Sequence, residues 1–215
     1  VTPDTIRPTA NIHFIIFIMR RTPVQRLREP YRPHPLGANK KTAARTAGWR
    51  LAKCRTSAYR SAAIKACQMS TLFDQYGENY DAAMTKSIGF MGQSHDYYTQ
   101  AKAVHILSIL RRHLGAPRQL AVLDVGSGVG KTDRFLSGGI GHLTGVDISA
   151  TSVERARREN PSVRYEVYDG RQLPFPAESF AAAFVICVMH HVAIPDRVAL
   201  LQEVRRTLIP GGLLM

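Results

Sequence analysis

The chain has 215 residues, 45% of them hydrophobic, enough to bury the core of one ordinary α/β domain. Its formal net charge of +13 is uneven: 14 Lys/Arg and two acids precede Met69, and 15 Lys/Arg and 14 acids run from Met69 onward. The second part is nearly neutral, which speaks against a nucleic-acid-binding face there, and Cys54, Cys67 and Cys187 lack the spacing of a zinc site or disulfide framework, so no metal is expected and a reducing, cytoplasmic setting is.

Residues 1–68 show no sustained hydrophobic period, and Pro3, Pro8, Pro23, Pro30, Pro33 and Pro35 break helices and central strands. The expectation is a basic, disordered leader. Its apolar run at 12–19 is shorter than the ~20 residues a bilayer span needs, and it lacks the flanks of a signal peptide. An RNA- or lipid-binding tail and an organellar transit peptide are alternatives. The preferred reading takes the compositional break at Met69 as the true start, with 1–68 translated from upstream of it. Residues 70–115 read as helices: Phe73, Tyr76, Tyr80 and Met84 share one face, and 98–114 forms a second helix ended by Gly115 and Pro117.

From residue 118 the pattern becomes α/β. Apolar runs predict strands at 120–125, 143–147, 163–168 and 180–189. Helices are expected from Thr151, with Glu154 completing a capping box, and over 196–208, where Val198, Leu201, Val204 and Leu208 share a face. Pro210-Gly211-Gly212 should end that helix, and 213–215 should open a fifth strand. Alternating strands and helices imply a Rossmann-like, doubly wound, mostly parallel sheet.

The segment Asp124-Val125-Gly126-Ser127-Gly128-Val129-Gly130 leaves the first of these strands. Glycines there allow a sharp bend and close ligand approach at the binding end of such a sheet. A dinucleotide fingerprint would need Gly or Ala at Lys131, and a P-loop ending in Gly130-Lys131-Thr132 would need its leading glycine at Val125. Both fail by one residue. A second acid, Asp147, ends the next strand, where a carboxylate can accept both hydroxyls of a ribose.

The ungapped D-x-G-x-G-x-G pattern resembles the class I S-adenosylmethionine-dependent methyltransferases. Asp147-Ile148, Tyr168-Asp169-Gly170, 173–180, Met189-His190-His191-Val192 and Leu208-Ile209-Pro210-Gly211-Gly212 resemble segments of that family in the same order. The resemblance covers roughly 73–215 and is closest to the small-molecule methyltransferases. It implies that Asp124, Gly126, Ser127, Gly128 and Gly130 hold the amino-acid end of S-adenosyl-L-methionine. Asp147 and Ile148 would then meet the ribose, and Asp169 and Gly170 the adenine, with Tyr80 closing over the cofactor.

The implied reaction is in-line methyl transfer to a small-molecule acceptor, with His190 and His191 as candidate general bases. An inactive or truncated cofactor-binding module and a P-loop-like nucleotide binder are the competing readings. Phe180-Ala181 departs from the family, whose fourth strand opens with Phe-Asp. The family's sheet has seven strands, and this chain reaches the start of the fifth. The expectation is therefore a partial methyltransferase domain over 69–215, incomplete at the C-terminus, with an exposed and aggregation-prone edge on the fourth strand.

Overall fold

Residues 17–18 and 94–215 are described by a computed structural model. In chain order the strands are β1 (Phe17–Ile18), β2 (Ala121–Val125), β3 (His142–Asp147), β4 (Arg164–Val167), β5 (Phe180–Phe184) and β6 (Leu208–Leu214). The α-helices are α1 (His95–Leu114), α2 (Asp133–Leu136), α3 (Ala150–Glu159) and α4 (Ile194–Thr207). The sheet order is β1-β6-β5-β2-β3-β4, with β1 antiparallel and every other pairing parallel.

Side chains alternate across the pleat, so each strand feeds two cores. Val122, Tyr165 and Phe184 face α1 and α3, meeting Ile106 and Leu110 from α1 and Val153 and Ala156 from α3. Leu123, Val125, Val146 and Ala183 face the other way and pack on Leu200 and Val204 of α4. Helices on both faces of a parallel sheet make the fold doubly wound, as the sequence pattern implies. No helix among the described residues is long and apolar enough to cross a membrane.

Helix boundaries follow local chemistry. Ser94 Oγ accepts the Tyr97 N–H at 3.2 Å to start α1, and Gly115 at φ +90° ends it. The cap of α3 is Ser149, whose Oγ accepts the Ser152 N–H at 3.1 Å. The capping box placed at Thr151 and Glu154 is therefore corrected by two residues.

Three further expectations change. β5 ends at Phe184 rather than at Met189, because the chain bends away and Cys187 takes a left-handed conformation (φ 59°). β6 follows α4 without a break, and Pro210-Gly211-Gly212 lies inside the strand rather than ahead of it. Phe180 faces Leu208 while Ala182 faces Leu213, so the strand bulges between them, with Gly211 at φ +79°. The exposed edge expected on the fourth strand is absent: β6 covers β5, and β1 pairs with β6 through Phe17–Leu214 and Ile18–Leu213. Phe17 and Ile18 come from the segment read as a disordered leader. The rest of 1–68, the helix expected over 73–84 and Tyr80 lie outside the described residues.

Candidate functional site

The sheet changes winding direction between β2 and β5: from β2 the chain adds β3 on one side, and β5 lies on the other. Loops leaving the C-terminal ends of two such strands diverge and leave a crevice between them. The glycine loop, 126–130, leaves β2 at this point, and the loop with Cys187, His190 and His191 leaves β5.

Backbone bonds fold the glycine loop back on β3. The Gly126 and Ser127 N–H groups both donate to the Val146 carbonyl, at 2.7 and 3.0 Å, and the Gly130 N–H donates to the Ser127 carbonyl at 2.9 Å. Gly126 has φ +80°, and a Cβ there would run into the Val188 side chain, so glycine lets the two loops pack together. Gly128 has φ +53°, and among the described residues a Cβ there would meet nothing within 4 Å. Among the described residues the loop is thus packed from beneath, with none above Gly128.

Asp147, at the end of β3, uses both carboxylate oxygens. Oδ2 accepts the Gly128 N–H at 2.8 Å, and Oδ1 accepts the Ser149 N–H at 2.9 Å. An ionised carboxylate has about four lone-pair sites, more than these two bonds use. Ile148 reaches the turn after β4, where a Cβ on Gly170 would lie 3.4 Å from its Cγ2. Asp169 is exposed and fixes that turn: its Oδ1 accepts the N–H groups of Arg171 (2.9 Å) and Gln172 (2.8 Å). Asp124, Gly126, Ser127, Gly128, Gly130, Asp147, Ile148, Asp169 and Gly170 therefore gather at the C-terminal ends of three neighbouring strands. Tyr80 is the one candidate cofactor residue that cannot be placed.

His190 and His191 are exposed on the β5 loop, with ring centroids 3.8 Å apart. Partial burial, together with the neighbouring His190, holds His191 below the ordinary histidine range. It is therefore neutral near pH 7 and able to accept a proton.

The P-loop reading loses its cation. Lys131 Nζ lies 3.5 Å from Glu159 Oε2 at the end of α3, a partner for its charge outside the loop. Among the described residues the crevice brings carboxylate acceptors, Asp147 and Asp169, to the ends of neighbouring strands. That donor set suits a phosphate-free ligand carrying hydroxyls and an amine.

Sequence reasoning missed a buried layer beneath the loop. Asp133, at the start of α2, has no exposed surface, and the Tyr165 hydroxyl donates to its Oδ2 at 2.8 Å. Asp124 is only 5% exposed, and its carboxyl meets that of Asp133. Burial first, and then Asp133, pushes the Asp124 carboxyl well above the usual range. Burial also pushes Asp133 up to about 6, against the hydrogen bonds from Tyr165 and Asp124. Asn160 Nδ2 donates to the Gly130 carbonyl at 3.1 Å and closes the far end of the layer. A signal existed: Tyr165 alternates into the core of a strand, and a buried tyrosine hydroxyl needs a partner.

This fold, with a D-x-G-x-G-x-G loop at its switch point and acids after the next two strands, defines a class I S-adenosylmethionine-dependent methyltransferase domain. Residues 122–212 match a family described as a methyltransferase domain, and this part of the chain belongs to it. Among curated proteins, 2-methyl-6-phytyl-1,4-hydroquinone methyltransferase of Synechocystis sp. is 34% identical over 103 residues, covering 46% of this chain and 32% of that protein. Sterol 24-C-methyltransferase ERG6B of Gibberella zeae is 31% identical over 145 residues, covering 64% of this chain and 33% of that protein. The chain thus spans about a third of the length of these relatives. The DhpI–SAH complex shares the fold, with a TM-score of 0.51 and 23% identity over 72% of this chain and 68% of that one.

Proposed function

We propose that the protein transfers a methyl group from S-adenosyl-L-methionine to a small-molecule acceptor by in-line displacement. The observation that carries this reading is the Asp147 carboxylate held against the glycine loop at Gly128. When bound, the cofactor supplies a methyl group already activated by its sulfonium. The chain supplies position and a dry pocket. The Gly128 loop receives the amino-acid end, Asp147 accepts from the ribose, and the turn of Asp169 and Gly170 borders the adenine.

The acceptor side falls to the β5 loop. Val188 seats this loop against Gly126, and His190 and His191 follow it. A neutral His191 can take a proton from an O–H or N–H nucleophile. Both relatives are named for small acceptors, a hydroquinone and a sterol, and the near-neutral charge after Met69 fits such an acceptor better than nucleic acid. In this reading 69–215 carries the cofactor-binding part of a methyltransferase domain, and the protein works in the cytoplasm.

Calorimetry with S-adenosylmethionine and S-adenosylhomocysteine tests the cofactor reading. Transfer of radiolabelled methyl to a panel of hydroquinones, phenols and sterols tests the reaction. Micromolar binding with transfer to one acceptor class is expected. Binding without transfer to any acceptor would leave a cofactor-binding module, and absence of binding would overturn both readings.

A further inference from the structure

We propose that Asp124 and Asp133 share a single proton across a hydrogen bond that closes the glycine loop at its base, which makes Asp133 a positioning residue for the cofactor. The inference rests on the cofactor reading above for its functional half only.

The two acids bracket the loop. Asp124 precedes it on β2 and Asp133 follows it at the start of α2, so a bond between them ties entry to exit. Both are buried, Asp133 completely. One Asp133 oxygen, Oδ2, takes the Tyr165 hydroxyl at 2.8 Å, while the other, Oδ1, has no partner among the described residues unless a proton lies between it and Asp124. Two ionised carboxylates in contact cannot bond, and a buried, unpartnered acceptor is costly. One proton removes both problems. Asp124 carries it, because Asp133 already has the Tyr165 hydroxyl to stabilise its charge.

The surroundings reinforce this placement. Asp124 also faces Asp147 from β3 and the Cys187 thiol from the loop after β5, both of which oppose its ionisation. Lys102 on α1 meets Cys187 Sγ at 3.5 Å. Tyr165 on β4 donates to Asp133 and lies under Gly130, where its hydroxyl would be 2.5 Å from an added Cβ. Loss of the shared proton leaves two buried negative charges at the neck of the loop, which drives Asp124 and Asp133 apart and shifts the loop and its Gly128–Asp147 bond, against which the cofactor sits in the reading above.

Carboxyl-13C aspartate NMR of the full chain across pH tests the shared proton directly. Asp124 and Asp133 are expected to titrate as a coupled pair with one proton kept at pH 7, away from the ~4 of an ordinary aspartate. Asp133→Asn should move the Asp124 midpoint down toward that value, and Tyr165→Phe should move the pair's midpoint up. Calorimetry with S-adenosylhomocysteine should show Kd rising about tenfold per pH unit above the wild-type midpoint, with the inflection moving as the NMR midpoint moves in each variant.

Independent titration of both acids near pH ~4 in the wild type would overturn the proposal, whatever the variants do. A coupled titration with a flat Kd profile would overturn the positioning role. Absence of S-adenosylhomocysteine binding at every pH, with the coupled titration intact, would strike the cofactor reading and the positioning role with it, leaving the shared proton standing.

Discussion

Replacing Asp147 by alanine separates two roles that one carboxylate combines. In the folded chain it accepts two main-chain N–H groups, from Gly128 at 2.8 Å and Ser149 at 2.9 Å. Hydrogen bonds to a charged group contribute about 1.5–3 kcal/mol each, and this site is partly open to water, so the lower end applies. Asp147→Ala should therefore destabilise the protein by about 2–3 kcal/mol and lower Tm on the order of 5–10 °C. Cofactor affinity should fall further than this loosening explains, by roughly 100-fold, because the ribose hydroxyls lose a charged acceptor. The assay is a double-mutant cycle by calorimetry, using S-adenosylhomocysteine and its 2′-deoxy analogue on both proteins. In the wild type the analogue should bind about tenfold more weakly, and in Asp147→Ala the two ligands should bind alike. An analogue penalty of equal size in both proteins would refute the ribose contact and leave Asp147 as a loop clamp alone.

Two glycines of the loop should differ. Gly126→Ala meets both a left-handed backbone and the Val188 side chain and should cost about 2–4 kcal/mol in urea unfolding, partly recovered by Val188→Ala. Gly128→Ala meets no described residue and should cost about 1–2 kcal/mol, yet weaken cofactor binding more than tenfold. The pH dependence of stability follows from Asp133, whose folded pKa of about 6 exceeds its unfolded value near 4. The folded state binds more protons across that window, so the contribution of this group to stability falls as pH rises from about 4 to about 6. Asp133→Asn should flatten the urea midpoint over the same range, and an unchanged slope would contradict the burial argument. His191→Ala should lower kcat by roughly 100-fold with an oxygen or nitrogen acceptor while leaving the Kd of S-adenosylhomocysteine unchanged; an unaltered kcat would remove it as the base.

The strands were legible wherever a continuous apolar run was buried on both faces, as in 121–125, where every residue is buried. The same signal overshot at 185–189. Val185, Val188 and Met189 pack against one core and Ile186 against the other, with Val188 also meeting the glycine loop, and periodicity cannot distinguish that use from a sheet ladder. Asp124 and Asp147 stood out by their place at strand ends. Asp133 did not: between Thr132 and Arg134 it reads as a solvated helix start, and its burial depends on Tyr165 some 32 positions away. The β1–β6 pairing was out of reach for the same reason. Two residues of ordinary hydrophobicity at 17–18 say nothing about a partner at 213–214.

The seat of Val188 on Gly126 joins the two sides of the crevice mechanically. If the glycine loop is fixed by a cofactor, the same contact should steady the root of the segment bearing His190 and His191, and the two sides are expected to be coupled. Linkage then requires the effect to be mutual: the factor by which S-adenosylhomocysteine tightens the acceptor must equal the factor by which the acceptor tightens S-adenosylhomocysteine. Val188→Ala should bring both factors toward one together, as calorimetry in the two orders of addition would show. Substrates would then enter a pocket that senses its own filling, and a chain with this contact intact would favour the ternary complex over either binary one.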